Sequence, residues 1–104
     1  MSTIAKAKHR SVGPTVPGLF EWEPMDSEQQ GDWLGSTGSR AVVHAVGQFE
    51  SVRILGSLFD DDGAEIGRLT PGKPLLMLPV APTRICPVVE AGDQVVVRVH
   101  FLKG

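Results

Sequence analysis

The chain has 104 residues, 41% of them hydrophobic, and a formal net charge of −2. That length holds one domain with one core, and the near-neutral charge gives no support for a nucleic-acid-binding surface spread over the whole domain. Twelve glycines and eight prolines predict many turns and few helices, and no apolar run approaches the ~20 residues of a membrane-spanning helix.

Residues 1–18 carry Lys6, Lys8 and Arg10 and no acid, so a basic arm precedes an acidic body. Pro14 and Pro17 block regular structure. The expectation is an extended arm, either disordered or laid across a partner, followed by a single domain over 19–104. The N-terminus lacks the apolar core of a signal peptide, which predicts a protein made and used without secretion.

The first strand is expected to begin at Leu19, where Phe20 and Trp22 alternate with Glu21 and Glu23 before Pro24 ends the run. Residues 25–38 read as a polar loop, with Trp33 pinning it to the core or to a neighbouring subunit. Arg40–Val46 and Val52–Leu58 read as two strands, with a turn or bulge at Gly47 and Gln48. Gly56 marks a close approach of backbone or ring. Asp60–Gly63 is a hairpin turn, Glu65–Leu69 its return strand, and Thr70–Pro74 a second turn. Leu75–Val80 is apolar throughout and reads as a buried strand. Arg84–Val89 reads as a strand that Pro87 confines to an edge or a bulge, and Glu90–Asp93 as the turn after it. Asp93–Leu102 has the clearest alternation of all. Val95, Val97, Val99 and Phe101 share one face; Gln94, Val96, Arg98, His100 and Leu102 share the other. Seven to eight short strands at this spacing predict an all-β fold, an antiparallel β-sandwich or small barrel.

Little in the chain points to chemistry. Placing Gly63 sixth in a calcium-binding loop puts Leu58 first and Leu69 twelfth, where ligands are required. A looser site from Asp60, Asp62 and Glu65 is outweighed by a solvated hairpin. His9, His44 and His100 have no metal spacing, and Cys86 completes no zinc pattern. As the single cysteine, Cys86 has no intrachain partner; its apolar neighbours predict a small buried hydrophobe in a reducing compartment. No nucleophile elbow or phosphate-binding loop is present, and Glu21 and Glu23 read as the wet face of a strand. The reading is a non-enzymatic protein without metal or cofactor. Three basic residues without interleaved aromatics make a weak nucleic-acid tail, and docking of the arm on an acidic protein surface fits equally well.

Several short runs occur in order along the chain. Phe20, Trp22 and Pro24 open it, followed by Gly31, Asp32 and Gly35, then Val43, Val46, Gly47 and Phe49. Val52, Ile54, Gly56 and Ser57 precede the acidic turn at 60–63, and Arg84, Pro87, Val89, Gly92 and Asp93 lead into the closing valine-rich strand. Together they resemble the small virion proteins of tailed phages that decorate or cement the capsid. The resemblance implies a jelly-roll-like β-sandwich without catalysis. It also implies binding to the major capsid protein on the outside of an assembled shell, as a dimer or trimer, after synthesis in the host cytoplasm. Lys6, Lys8, Arg10, Val12 and Trp33 are the expected capsid-binding residues. Val96, Arg98, His100 and Leu102 are the expected self-association residues, because self-association accounts for apolar side chains on a nominally outer face. Two alternatives are a head–tail connector or tail component, and a carbohydrate-binding sandwich that stacks sugars on Trp22 or Trp33.

Overall fold

A computed structural model describes residues 4–9, 18–58 and 63–103. Every regular element among them is a β-strand: β1 (Ala7–His9), β2 (Leu19–Trp22), β3 (Leu34–Gly35), β4 (Arg40–Ser57), β5 (Ala64–Leu69), β6 (Leu75–Leu78) and β7 (Arg84–Leu102). All seven join one antiparallel sheet in the order β1-β2-β7-β4-β5, with β3 on β7 and β6 on β4.

The sheet is organised by two long strands where four short ones were expected. β4 has 18 residues and β7 has 19, and they pair from Arg40–Leu102 to Ser57–Arg84. A straight 18-residue strand would be about 60 Å long, yet the longest dimension of the molecule is 34 Å. The ribbon must therefore bend. It does so where the register shifts three times, between Val46 and Val52. Gly47 sits there at φ +116°, and an added Cβ would come within 2.9 Å of the Gln94 carbonyl oxygen, so an L side chain is strained at that point. Bulges of this kind bend the bulged strand and increase its twist. Glu90–Asp93, expected as a turn, is the other side of the same bend and stays within β7.

Bending lays one half of the sheet over the other and gives a sandwich-like body. The β6 half contains β1, β2, β6 and residues 40–46 and 95–102 of the long strands. The β5 half contains β3, β5 and residues 52–57 and 84–89. Ala41, Val43, Ala45, Val95, Val97, Val99 and Phe101 from the β6 half meet Val52, Ile54, Ile85 and Val89 from the β5 half in one cluster, closed by Trp22 and Met25. Each fully buried Val or Ile contributes ~1.5–3 kcal/mol. The bulges also change phase. Inward residues of β4 are odd-numbered before the bend and even-numbered after it, whereas those of β7 stay odd throughout. Across the three shifts β4 gains one extra residue and β7 gains two, and with a side-chain period of two only the strand that gains an odd number switches face.

Three further expectations are corrected. β6 is not buried throughout: Leu75 is 47% and Met77 67% exposed, because among the described residues β6 pairs with β4 alone and faces outward on alternate residues. Pro87 lies in the central strand, not at an edge. Its carbonyl accepts a hydrogen bond from the Gly31 amide at 2.9 Å. In an antiparallel ladder the nitrogen of a residue points to the same side as its carbonyl, so the missing donor faces the irregular 30–32 segment and the ladder with β4 is intact. The loop over 25–38 is also more ordered than expected, since Met25 bridges Val95, Gln30 bridges Val88, and β3 pairs with Ile85 and Arg84.

Candidate functional site

The even-numbered residues of β7 emerge on the outer face of the β6 half. Val96, Arg98, His100 and Leu102 are all half-buried there. Register decides what lies beside them. Across β4 they pair with Val46, His44, Val42 and Arg40, and one strand further out Leu75 and Met77 pair with His44 and Val42. On the other flank Leu19 and Glu21 pair with His100 and Arg98. The Arg98 Nε donates to Glu21 Oε1 at 2.6 Å, so that charge is matched within the sheet. What remains is an apolar band of Leu75, Met77, Val42, Val46, Val96 and Leu102. A groove of about 230 Å³ runs along its edge, lined by Arg40, Val42, Met77, Leu78, Pro79 and Leu102. His44 and His100 share this face on neighbouring strands but are not directly opposite one another.

The four expected self-association residues are therefore together on one surface. Val42, His44, Val46, Leu75 and Met77 complete it. The alternation in Arg40–Val46 carried a signal for the first three, whereas the unbroken apolar run at 75–80 hid which of its residues point outward.

The expected capsid-binding residues are spread over more than one element. Lys6 and Lys8 are exposed at the β1 edge, while Arg10 and Val12 lie outside the described residues. The part of the arm over residues 5–9 is extended, and it is laid on the molecule's own sheet. Ala5 is buried, its amide donates to the Gln30 carbonyl at 3.0 Å, and its carbonyl accepts from the Asp32 amide at 2.7 Å. Asp32 Oδ1 accepts the Ala7 amide at 3.0 Å and Trp22 Nε1 at 3.1 Å. One carboxylate thus ties the first strand to a buried ring. Trp22 is 1% exposed and offers no face for stacking a sugar. Trp33 stacks under the Arg84 guanidinium, 4.9 Å from its ring centroid, and supports the β4–β5 hairpin at Gly63.

The outer face of the β5 half is different in kind. Arg53 Nε donates to Glu65 Oε1 at 2.8 Å, Arg68 Nη2 reaches the same oxygen at 3.0 Å, and Arg68 Nη1 pairs with Glu90. Ser51 Oγ joins the chain through Glu90 at 2.8 Å. Arg53 first, and Arg68 after it, hold the Glu65 carboxyl below its ordinary range. Glu65 is thereby engaged by two cations; Asp60 and Asp62, its companions in the calcium reading, lie outside the described residues. Cys86 is buried, and its Sγ donates to the Gly31 carbonyl at 3.1 Å. Burial, and then the charge of Asp32, push its thiol up to about 11, so it is protonated and inert at neutral pH.

At the bend, a shallow concavity is lined by Gly47, Phe49, Glu50, Gly92 and Asp93. The strained Gln94, at φ +49°, is held beside it by Asp26, whose Oδ1 accepts the Gln94 amide at 2.9 Å. That amide is the main cause of a lowered Asp26 pKa.

No protein-family model matches the chain, and no curated protein matches its sequence.

Proposed function

We propose that this protein is a structural virion component that binds the outside of a phage capsid and stabilises it by bridging neighbouring major capsid protein subunits, without catalysis. The observation that carries the reading is the apolar outer face of the β6 half. An apolar sheet face is normally covered by other elements or by a partner, and this one is backed by a core that holds it rigid. The ordered runs from Phe20 to Asp93, with their resemblance to capsid decoration proteins, supply the kind of partner. A jelly-roll relationship belongs to the same proposal. A binder of this sort adds stability through many weak contacts acting together, which suits a broad, shallow face better than a deep pocket. Sugar stacking finds no support, since Trp22 is buried and one face of Trp33 is occupied by Arg84.

The test is co-sedimentation of the purified chain with assembled capsids that lack it. Saturable binding at hundreds of copies per shell is expected of a decoration protein. A few to a dozen copies would move the protein to the head–tail junction, and no pelleting at all would remove the proposal.

A further inference from the structure

We infer that β6 pairs edge to edge with β6 of a second copy, antiparallel and centred on Leu76, so that two copies share one sheet. The inference does not depend on the capsid reading.

The hydrogen bonds of β4 show which way β6 faces. The Ala45 amide donates to the Pro74 carbonyl at 3.0 Å, so the backbone of Pro74 turns toward β4. Backbone groups alternate sides along an antiparallel strand. Leu76 and Leu78 therefore turn toward β4 as well, opposite Val43 and Ala41, and the N–H and C=O groups of Leu75 and Met77 point away from it. Among the described residues no backbone group bonds to them. The flank is open to solvent: Leu75 is 47% and Met77 67% exposed, and Leu76 is only half-buried although it packs on the core.

The other edges are guarded. The outward groups of β1 and the residues before it are taken up by the 30–32 segment, where Gln30 accepts the Ala5 amide and Asp32 Oδ1 the Ala7 amide. The β5 ladder carries a bulge between Ile54 and Leu55, and its edge bears Glu65 and Arg68. Cover, bulges and charges are the devices that keep edge strands from pairing. β6 has none of them: Leu75–Leu78 is wholly apolar and in unbroken register with β4.

The occupant is a second copy because the edge is self-complementary about a two-fold axis. With Leu76 on the axis, Leu75 of each copy lies opposite Met77 of the other, and two donors and two acceptors on each side are all matched. A shift of two residues in one direction sets Leu75 opposite Pro79, which lies outside the strand and has no N–H to give. A shift in the other direction sets Met77 opposite Lys73, whose amide and carbonyl are both bonded to Thr70. The flanking residues thus leave one register. In it the Leu75 and Met77 side chains of both copies meet on the outer face, and the apolar bands of the two copies become continuous. Each copy uses its edge once, so the assembly closes at two.

Sedimentation velocity and hydrogen exchange of the full chain test this. The native chain is expected to form a dimer as concentration rises, and the Leu75 and Met77 amides should become protected over the same range. Met77→Pro removes an outward N–H without touching the ladder to β4, a placement that edge strands tolerate. It should melt as the native chain does and dimerise at least about tenfold more weakly, since two of the four bonds are lost. A charge test fixes the register. Leu75→Lys/Met77→Lys and Leu75→Glu/Met77→Glu chains each set like charges opposite one another and should sediment as single copies; mixed, they should form a one-to-one pair. A native chain that stays monomeric at every concentration overturns the inference. So does a dimer that leaves those two amides unprotected, or a mixture of the two charged chains that stays unpaired. A monomer that still pellets with capsids would sink this inference alone, and a dimer that does not pellet would sink the capsid proposal alone.

Discussion

On the β5 half, Arg53, Glu65, Arg68, Glu90 and Ser51 hold one another in a run of ion pairs and hydrogen bonds. On the β6 half, the outer positions of the same two long strands carry Val42, Val46, Val96 and Leu102, with Leu75 and Met77 beside them. Both faces cover one core and share one backbone ribbon, so fold alone does not account for the difference. A face made for water satisfies its charges internally and gains little stability from them. A face left apolar in water is made to be covered. The contrast is what places the proposed interaction surface on the β6 half, without any appeal to a pocket.

The comparison can be broken or sharpened by substitution. The largest effect is expected at Val97, which is fully buried beneath the apolar face. Val97→Asp places an unpaired charge in the core, costs about 4 kcal/mol or more, and should abolish cooperative thermal melting. Next comes Gly31→Val. A Cβ there would stand 2.5 Å from Trp22 Cδ1 and 2.8 Å from Pro87 Cγ, and the overpacking should cost ~1–3 kcal/mol in a denaturant titration followed by tryptophan fluorescence. Val96→Asp, one residue from Val97 but on the outer face, should move stability by only about 0.5 kcal/mol while weakening assembly and capsid pelleting. Equal loss of melting in the Val96 and Val97 variants would erase the division between the two faces of β7. Glu65→Gln on the charged face should lower the melting temperature slightly and leave capsid pelleting unchanged; a clear loss of pelleting would move the interaction surface to the β5 half.

The smallest effect is a pH dependence. Asp26 and Glu65 both have lowered pKa values in the folded protein, against ordinary values of 3.8 and 4.5. A carboxylate that is more acidic folded than unfolded stabilises the fold above its unfolded pKa, and that stability is lost as pH falls through the folded value. Thermal melting should therefore hold steady from neutral pH to about 5 and decline below the ordinary carboxylate range. Both groups are exposed, so the decline attributable to them is small. It should shrink further in the Glu65→Gln variant, and an undiminished decline there would remove Glu65 as a source.

Much of this was legible in the residues. The alternation of Val95, Val97, Val99 and Phe101 marked the core stripe, and Val96, Arg98, His100 and Leu102 marked its outer counterpart, because a period of two is a direct consequence of the pleat. The all-β class followed from turns and strand-forming runs. The continuity of β4 and β7 was hidden, since Gly47–Gln48 and Glu90–Asp93 have the composition of turns, and a bulge uses the same residues as a turn to meet the same conformational need. The exposure of Met77 was hidden for a different reason. An apolar run reads as buried from its own sequence, and only pairing with Val42 on one edge alone shows that it faces out. Partners across the face, such as Val42 opposite His100, are set by register between strands more than 50 residues apart, which local patterns do not encode.

β7 comes last of the seven strands in chain order, yet it is the one that β2, β3 and β4 all pair with. During synthesis, β2 and the 40–57 ribbon emerge with their central neighbour still missing, and their edges stay open until residues 84–102 arrive. The pairings of β2, β3 and β4 with β7 are then made together and between distant parts of the chain. Such a topology folds slowly, and the edge of β4 that β7 will cover is exposed to aggregation in the interval. Yield of native protein should therefore depend on expression temperature more steeply than its equilibrium stability alone would suggest.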